Sequence, residues 1–552
     1  MPITKIIIEN FKGIRDRVEI PIRPLTLFFG ANSAGKSTVL HALLYLRELL
    51  ERQNADADRV IGGGNDVYLG GFRQLVHGHD EEKTVTVGVE YTVDADGLEP
   101  YLVAEHYKGQ NNDSHIDPVK VDGVSGVITA TVEVSVSISN LTNIPIITRY
   151  AVAINGRHLG EIAGGLEMKA ILFNVDINHP IFDAQYSQEN LSNEDADDGE
   201  LNPISSALRK TLFSEIPLNS IIDGDMWVAL GHAVIPKWGN ALEFELDDDE
   251  WLSQLIMAPF SKFILSQLMV RPGELILEHL RTYRHLGPIR SVPNLSSIAQ
   301  RSPSLDRWID GMAAWDLLSV DAERQDSNRQ QLIEKVNAYL CGEDRLNLGY
   351  SLSAETVRDI PADSALMKIL ERFVVSSDEF DGESSLRAAY AESLSIKTRA
   401  KLQLTDLRRN VQVNPSDIGA GVSQVIPVLV SALDTTSKIT AIEQPELHLH
   451  PAVQCSLGDL FIREANKANE RFFLNETHSE HLLLRLMRRI RETQDETSPA
   501  RDLTLLPEAI TILFVETYEG RSIYREMPLN ERGDFDADWP NGFFGERFDE
   551  YE

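Results

Sequence analysis

An eight-residue glycine-rich segment, Gly30-Ala-Asn-Ser-Ala-Gly35-Lys36-Ser37, constrains the fold of this chain more than any other feature. It matches the pattern G-x-x-x-x-G-K-[S/T]. The strand-like sequence LTLFF precedes it at 25–29, and an apolar helical pattern follows at 37–52. In that setting backbone amides and a helix N-terminus surround phosphate groups, the lysine neutralises them, and the serine hydroxyl binds Mg²⁺. The predicted phosphate-binding residues are Gly30, Asn32, Ser33, Ala34, Gly35, Lys36, Ser37 and Thr38.

A second apolar strand pattern runs from Ile439 to Glu443 and ends in an acidic residue. Ligands of open α/β sheets bind at the carboxyl ends of the strands. We therefore predict that the Glu443 carboxylate reaches a Mg²⁺ ion held by Ser37. The neighbouring Gln444 and Glu446 are further candidates for this site.

Two other segments have the composition of phosphate-contacting turns. Gly421, Ser423 and Gln424 lie in DIGAGVSQ, where glycines permit close backbone approach; we predict that Ser423 caps the next helix and that Pro427 lies in its first turn. The segment from Glu476 to His481 follows a predicted strand and opens a helix. This order predicts that His478 lies near the phosphates, although it can equally be a hydrogen-bonded loop histidine.

The periodicity between these motifs changes along the chain. Residues 84–155 have the alternating pattern of antiparallel strands, 186–200 are polar and acidic, and 250–283 are helical in pattern. From about residue 400, apolar strands alternate with helices, which predicts a mainly parallel α/β core. The predicted division is an N-terminal half of the phosphate-binding α/β unit at 1–92, a β lobe and helical insertion at 93–395, and a C-terminal half of that unit with a tail at 396–552.

The chain is strongly acidic, with a formal net charge of −33. This excludes a general DNA-coating protein, because phosphate binding needs positive surface. Basic residues that could form a local DNA contact can instead belong to solvated helix faces or internal ion pairs; they are Arg281, Arg284, Arg290, Lys397, Arg399, Lys401, Arg485, Arg488 and Arg489. With two cysteines and no apolar run of membrane-spanning length, the expected location is the cytoplasm.

Together the motifs resemble the SMC/RecF/OLD-like branch of ABC ATPases. The matching segments are IENFKGI (8–14), the glycine-rich loop, GVSQ (421–424), EQPELHLHP (443–451) and ETHSEHLL (476–483), with HLGPIR (285–290) and WPNGFF (539–544) in addition. The resemblance implies an α/β ABC/SMC-type head built from both chain ends, with ATP and Mg²⁺ as cofactors. It also assigns His448 and His450 to a loop of the head, against the zinc site that H-x-H otherwise indicates.

The same resemblance implies roles for individual residues. Two heads close face to face around ATP, so that Ser423 acts on the nucleotide of the partner and His478 senses the γ-phosphate. Gln74 is the candidate glutamine that ligates the metal. Where the branch has a second acid that polarises the attacking water, this chain has Gln444. Either hydrolysis is slow, or another group such as Glu446, Glu476 or His478 helps; we predict slow hydrolysis.

The resemblance extends to Septu-like defence ATPases, which pair with a separate HNH nuclease and sometimes with a retron reverse transcriptase and its DNA. It predicts an ATPase that regulates a separate effector in antiphage defence. The alternatives are an OLD-like ATP-dependent nuclease and a RecF/SMC-like repair ATPase acting on DNA. About 70 residues follow Glu480, which is short for the Toprim domain of OLD proteins; Asp534, Asp536 and Asp538 are the acidic cluster that could replace it.

Overall fold

The structure is a computed structural model of the 552-residue chain. It describes residues 2–56, 69–93, 97–98, 101–104, 118–121, 124–164, 170–176, 178–182, 226–227, 234–240, 242, 264–293, 305–319, 327–375, 383–396, 398–467, 471–497, 500–537 and 539–540. The acidic segment 186–200, Lys397, Asp538 and residues 541–544 of the tail motif lie outside the described residues.

The regular elements follow the alternation predicted from periodicity. The strands are β1 (Ile3–Glu9), β2 (Val18–Pro21), β3 (Leu25–Gly30), β4 (Val85–Thr92), β5 (Tyr101–Ala104), β6 (Pro118–Val121), β7 (Thr129–Ile138), β8 (Pro145–Ile154), β9 (Arg157–Gly164), β10 (Ala170–Phe173), β11 (Met226–Trp227), β12 (Arg284–Leu286), β13 (Tyr350–Val357), β14 (Arg399–Asp406), β15 (Val411–Val413), β16 (Ile439–Glu443), β17 (Phe472–Glu476), β18 (Ile510–Tyr518) and β19 (Arg521–Glu526). The helices are α1 (Lys36–Arg52), α2 (Phe72–Leu75), α3 (Arg271–Arg281), α4 (Met312–Leu318), α5 (Ser327–Cys341), α6 (Ala365–Val375), α7 (Glu383–Ser395), α8 (Ala420–Leu433), α9 (Pro451–Ala465) and α10 (Glu480–Gln494).

A six-stranded sheet, here called the parallel sheet, carries the predicted phosphate-binding motifs. Its strand order is β12-β16-β17-β3-β18-β19, and only the β18–β19 pair is antiparallel. All six residues of β3 and all five of β17 are buried, as expected for strands covered on both faces. The prediction of a mainly parallel core is confirmed, and strands from both chain ends form it.

An eight-stranded antiparallel sheet has the order β11-β10-β9-β8-β7-β4-β1-β2. It confirms the antiparallel lobe, but it begins earlier in the chain than its sequence pattern indicated, since β1 and β2 belong to it. The predicted boundary between residues 92 and 93 falls between β4 and β7, which pair along their whole length.

Two hydrophobic cores cover the two faces of the parallel sheet. On one face, Phe28, Ala441 and Leu474 pack with α1 and the inner face of the antiparallel sheet. On the other face, Phe29 and Phe473 pack with α8, α9 and α10. Helix α1 therefore lies between the two sheets, which explains the broad apolar face of its sequence.

The middle of the chain contributes to the parallel sheet as well. Strand β12 adds to its edge beside β16, with His285 opposite Ala441. The strand-like sequence near residue 400 is β14, which pairs antiparallel with β13 and β15 in a separate three-stranded sheet. The ATPase fold thus needs a segment near residue 285 in addition to the two chain ends.

Two local predictions for α8 are wrong. The helix begins at Ala420 with Gly419 as its N-cap, so Ser423 is inside the helix and its hydroxyl donates to the Ala420 carbonyl at 3.2 Å. Pro427 then lies in the helix interior, one turn further along than predicted. The predictions placed the helix start at the serine because serine is the stronger N-cap residue.

The C-terminal tail packs on the parallel sheet. The Trp539 ring contacts Phe29 of β3, Phe514 of β18 and Phe535, at centroid distances of 5.6, 5.8 and 5.0 Å. Trp539 of the tail motif therefore packs against β3, the strand that leads into the glycine-rich loop. No helix in the described part of the chain is long and apolar enough to cross a membrane.

Candidate functional site

The parallel strands β3, β16 and β17 end at the same edge of the sheet, here called the carboxyl edge. The pairing register places Glu443 opposite Glu476, and Glu476 opposite Phe28, two residues before the glycine-rich loop. Residues more than 400 positions apart in the chain therefore meet at the loop. The site forms here because parallel pairing aligns the ends of these strands.

The loop between β3 and α1 has a conformation that requires glycine at both ends. Gly30 has φ +141° and Gly35 has φ +105°. A Cβ atom at Gly30 would also collide with the carbonyl oxygen of Val515 in β18. These constraints explain the two glycines of the motif.

Lys36 is the first residue of α1 and is buried against its own loop. Its ammonium group donates to the carbonyls of Gly30 at 3.1 Å and Ala31 at 2.9 Å, and lies 3.6 Å from Glu476 Oε1. Burial lowers the pKa of Lys36, and the carboxylates of Glu476 and Glu443 oppose that shift. The lysine is thus held at the loop by acceptors that a phosphate group can replace.

Ser37 lies between two carboxylates. Its hydroxyl donates to Glu476 Oε2 at 2.6 Å and is 3.4 Å from Glu443 Oε2. Burial, followed by the nearby Glu443 charge, raises the pKa of Glu476, while the bond from Ser37 opposes the rise. One hydroxyl and two carboxylates are hard oxygen donors of the kind Mg²⁺ prefers, so this donor set fits the ion.

A second group of side chains borders Glu443 on its other side. His285 Nε2 lies 2.7 Å from Glu443 Oε1, and the ligand atoms of His41, His285 and Glu443 lie within 4.8 Å of one another. Lys12 Nζ is 2.7 Å from His41 Nδ1. Burial lowers the pKa of Lys12 to about 8, and burial together with the Lys12 charge holds the pKa of His41 well below its usual value.

These neighbours explain how Glu443 is held. A buried carboxylate bonded to an imidazole keeps one oxygen fixed, which leaves Oε2 directed to Ser37. The sequence interpretation missed Lys12 and His41 as site residues. One signal for His41 was present, since it follows Ser37 by four residues and so shares a face of α1.

Arg290 connects the end of β16 to α8. Its Nη2 donates to the carbonyls of Glu443 at 2.6 Å and Gln444 at 3.1 Å, and the Gln424 amide donates to the Arg290 carbonyl at 2.8 Å. Burial lowers the pKa of Arg290 to about 10, with Glu446 and Glu443 opposing the shift. The structure thus brings Gln424 to the Glu443 strand through Arg290, the last residue of the HLGPIR segment.

The residues around Gln444 form the remaining side of the site. Gln444 has φ +46°, and its backbone N–H donates to the Glu476 carbonyl at 2.7 Å. The Glu446 carboxylate accepts the His478 backbone N–H at 2.8 Å, and burial raises the pKa of Glu446. Burial and the Lys36 charge lower the pKa of His478, whose Nε2 is buried without a hydrogen-bond partner among the described residues. Both shifts favour the uncharged forms of Glu446 and His478.

The remaining predicted site residues are Gly421, Ser423 and Gln74. Gly421, beside Ser423, approaches the His448 carbonyl, where an added Cβ would lie 3.0 Å from that oxygen. Gln74 is in α2, is exposed, and lies against Gly70. In the described part of the chain its amide makes no hydrogen bond to Ser37 or Glu443, so its metal-ligating role stays a prediction.

Most of the candidate DNA-contacting arginines are engaged within the protein. Arg284 is buried and bonds Asp434, while Arg485 and Arg489 both bond Asp459. Their reading as internal ion pairs is confirmed. In the acidic tail cluster, Asp534 pairs with Arg491 at 3.1 Å and Asp536 accepts from Asn530 at 3.2 Å.

Residues 1–215 and 315–483 match the family described as the AAA ATPase domain. The chain belongs to this family. Its match to both chain ends confirms the predicted ATPase domain and the predicted use of both ends. No match was found among curated proteins.

Among solved structures, the chain is similar to SMC head domains at low identity. The Smc head bound to the C-winged helix domain of ScpA is 10% identical with a TM-score of 0.39, covering 96% of this chain and 99% of that one. The SMC head domain from Thermotoga maritima is 8% identical with a TM-score of 0.35, covering 96% and 100%. These similarities are too distant to assign a function.

Proposed function

We propose that this AAA ATPase binds ATP with Mg²⁺ at the carboxyl edge of the parallel sheet and hydrolyses it slowly. The observation that carries the proposal is the convergence of Lys36, Ser37, Glu443 and Glu476 at one point. Ser37 Oγ lies within 3.4 Å of both carboxylates, and Lys36 Nζ lies 3.6 Å from one of them. A cation beside a hydroxyl and two acids is what a nucleotide with a divalent ion requires.

Ser37 and Glu443 would hold the Mg²⁺ ion, which neutralises charge on the phosphates when it is bound. His285 keeps the Glu443 carboxylate in place from the opposite side. Lys36 exchanges its two loop carbonyls for phosphate oxygens, and the helix N-terminus of α1 adds backbone donors. Glu476 would give up its bond from Ser37, whose hydroxyl would then be free to hold the ion.

Slow turnover is proposed because Gln444 stands where a water-polarising acid is expected. An amide can orient water but cannot accept its proton, and general-base help contributes ~10²–10⁴-fold to a rate. Glu446, Glu476 and His478 remain on the same side of the site as partial substitutes. The result is an ATP-bound state with a long lifetime.

We further infer that two copies of the chain close on ATP, with Ser423 facing the nucleotide of the partner. The resemblance of the GVSQ segment (421–424) motivates this inference. Within one copy, Arg290 bonds Gln424 and the Glu443 carbonyl, so it joins the helix that carries Ser423 to the strand that ends in Glu443. A change at the nucleotide can therefore reach α8 through one side chain. The long-lived closed state would hold a separate effector in check, and the effector we propose is an HNH-type nuclease used in antiphage defence, with a retron reverse transcriptase and its DNA as a further partner in some systems.

Nucleotide binding by isothermal titration calorimetry tests the central proposal. Lys36→Ala should weaken ATP binding at least about 100-fold, since charge-assisted contacts are worth ~1.5–3 kcal/mol each. A melting curve of the same variant controls for folding, and Lys368→Ala, an exposed lysine of α6, is the matched control. Unchanged ATP affinity in a folded Lys36→Ala protein would remove the glycine-rich loop from the proposal.

A nuclease within this chain is the second candidate function. The ion pair of Asp534 with Arg491 and the bond of Asp536 with Asn530 disfavour it, because they direct these groups to separate partners. Incubation of the purified chain with plasmid DNA and Mn²⁺ should leave the DNA intact, while affinity purification should recover a stoichiometric second protein. Cutting that survives Lys36→Ala but is lost in Asp534→Asn would favour the single-chain nuclease.

A further inference from the structure

A cavity of about 440 Å³ lies at the opposite edge of the parallel sheet from the ATP site. Its walls include Leu433 at the end of α8, the end of α9, and the middle of α5. Helices α8 and α9 each run from the carboxyl edge to this amino edge, where β16 and β17 begin. The cavity is therefore separated from the glycine-rich loop by the length of the strands.

The cavity is cationic, although the chain has a net charge of −33. Two carboxylates, those of Glu464 and Asp502, also line it, which leaves an excess of three positive charges. The five cationic side chains of the lining are Lys335, Arg345, Arg463, Lys467 and Arg501.

The internal ion pairs account for only part of this charge. Lys467 Nζ lies 2.6 Å from Glu464 Oε1, and Arg463 Nε donates to Asp502 Oδ2 at 3.0 Å. Lys335, Arg345 and Arg501 have no carboxylate partner within the described ranges. Three cations around one cavity thus have no balancing acid there.

Arg463 gives a second, independent indication of a ligand. The residue is only 7% exposed, and its Nη1 is buried with no hydrogen-bond partner among the residues that the structure describes. A buried guanidinium nitrogen without a partner is costly, and a small rotation of this side chain would present it to an anion in the cavity. Apolar surface is also present, from Ala338, and the Arg345 guanidinium carbon lies 5.1 Å from the centroid of the Tyr339 ring.

We propose that this cavity is a binding site for a nucleotide-sized organic phosphate, separate from the ATP site. Its volume is within the ~300–1,000 Å³ of small-molecule sites. Several cations match a group with more than one negative charge, and guanidinium groups suit phosphate in particular. The Arg345 guanidinium and the Ala338 side chain provide planar and apolar surface for the rest of the ligand.

The position of the cavity implies a regulatory use for the ligand. Leu433 is the last residue of α8, and Ser423 and Gln424 lie in the first turns of the same helix. A helix of 14 residues spans ~20 Å. A ligand at the amino edge thus contacts the far end of the helix whose other end bonds Arg290 at the ATP site.

The test is calorimetry in a Lys36→Ala background, which removes nucleotide binding at the glycine-rich loop. The probes are AMP, inorganic pyrophosphate and a 5′-phosphorylated dT12 oligonucleotide. AMP and pyrophosphate should bind, and Lys335→Glu with Arg501→Glu should weaken them at least about tenfold, as loss of charge-assisted contacts predicts. Lys368→Glu with Arg532→Glu changes the net charge equally at exposed positions elsewhere and should leave the affinity unchanged.

A second measurement does not depend on the Lys36 variant. In the wild-type chain, AMP should slow acetylation of Lys335 by an amine-reactive reagent and leave Lys368 unaffected. Absence of protection, equal affinity in the cavity variant and its control, or binding of the oligonucleotide alone would each overturn the proposal. The last result would identify the cavity as a nucleic-acid contact instead.

Discussion

The two edges of the parallel sheet differ in the balance of the charges they collect. At the carboxyl edge, the carboxylates of Glu443, Glu446 and Glu476 lie among three cations, and the opposite charges are equal in number; the cations are Lys12, Lys36 and Arg290. At the amino edge, Lys335, Arg345, Arg463, Lys467 and Arg501 surround two carboxylates. In our proposals both edges bind phosphate. Among the described residues, the oxygen donors that fit a divalent cation lie at the carboxyl edge.

This difference separates two ways of binding phosphate. An edge that carries several carboxylates can bind a nucleotide together with a divalent cation, and it can then use those carboxylates in proton transfer. An edge with an excess of cations binds the anion directly. In our proposals the chemistry belongs to the carboxyl edge and ligand sensing belongs to the amino edge.

The largest expected effect comes from adding an acid at the carboxyl edge. Gln444→Glu should raise the ATP hydrolysis rate ~10²-fold, because it supplies the missing proton acceptor beside Glu476. Steady-state phosphate release measures the rate, and AMP binding at the amino edge should not change. Gln494→Glu, an exposed substitution of the same charge, is the control. A faster wild type that is slowed by Gln444→Glu would show that another base is in use.

A smaller effect tests whether the ATP site, unlike the cavity, is built from residues of two subunits. Lys36→Ala and Ser423→Arg subunits should each be inactive alone, but an equal mixture should recover about a quarter of wild-type hydrolysis, since half of the dimers contain one intact composite site. Affinity for AMP at the cavity should be the same in the mixture and in each parent. A mixture as inactive as its parents would contradict the action of Ser423 on the partner's nucleotide.

The smallest effect concerns the buried cation at the carboxyl edge. Burial lowers the pKa of Lys12 to about 8, below its unfolded value, so the unfolded chain binds more protons between pH 8 and about 10.4. The destabilising contribution of Lys12 is therefore constant below pH 8 and declines as the pH rises above it. Relative to Lys12→Met, the wild type should gain a few °C in melting temperature between pH 8 and 10.

Melting curves of both proteins from pH 6 to 10 measure this difference. Lys335→Met is the matched control at the amino edge, where the lysine is exposed. A constant offset between Lys12→Met and the wild type would mean that Lys12 keeps its ordinary pKa beside His41.

The parts of the site that could be predicted are those with local signals. The glycine-rich loop, the strand ending in Glu443 and the turn before His478 each combine a strand with a defined residue at its end. Parallel pairing then requires their ends to meet, and the register confirms it. The helix start at Gly419 was not predictable in this way, because backbone geometry and not residue preference selected the N-cap.

By itself the sequence determined the parallel core, the antiparallel lobe, the family and the glycine-rich loop with the strand ends beside it, because periodicity and motif spacing act over short stretches of chain. Only the tertiary structure decided which side chains support them. The side chains around Glu443 come from segments more than 150 residues away; they are Lys12, His41, His285 and Arg290. The cavity cations come from several separate helices and turns. Such contacts depend on how the layers pack and how the strands align. The spacing of residues in a single sequence indicates neither.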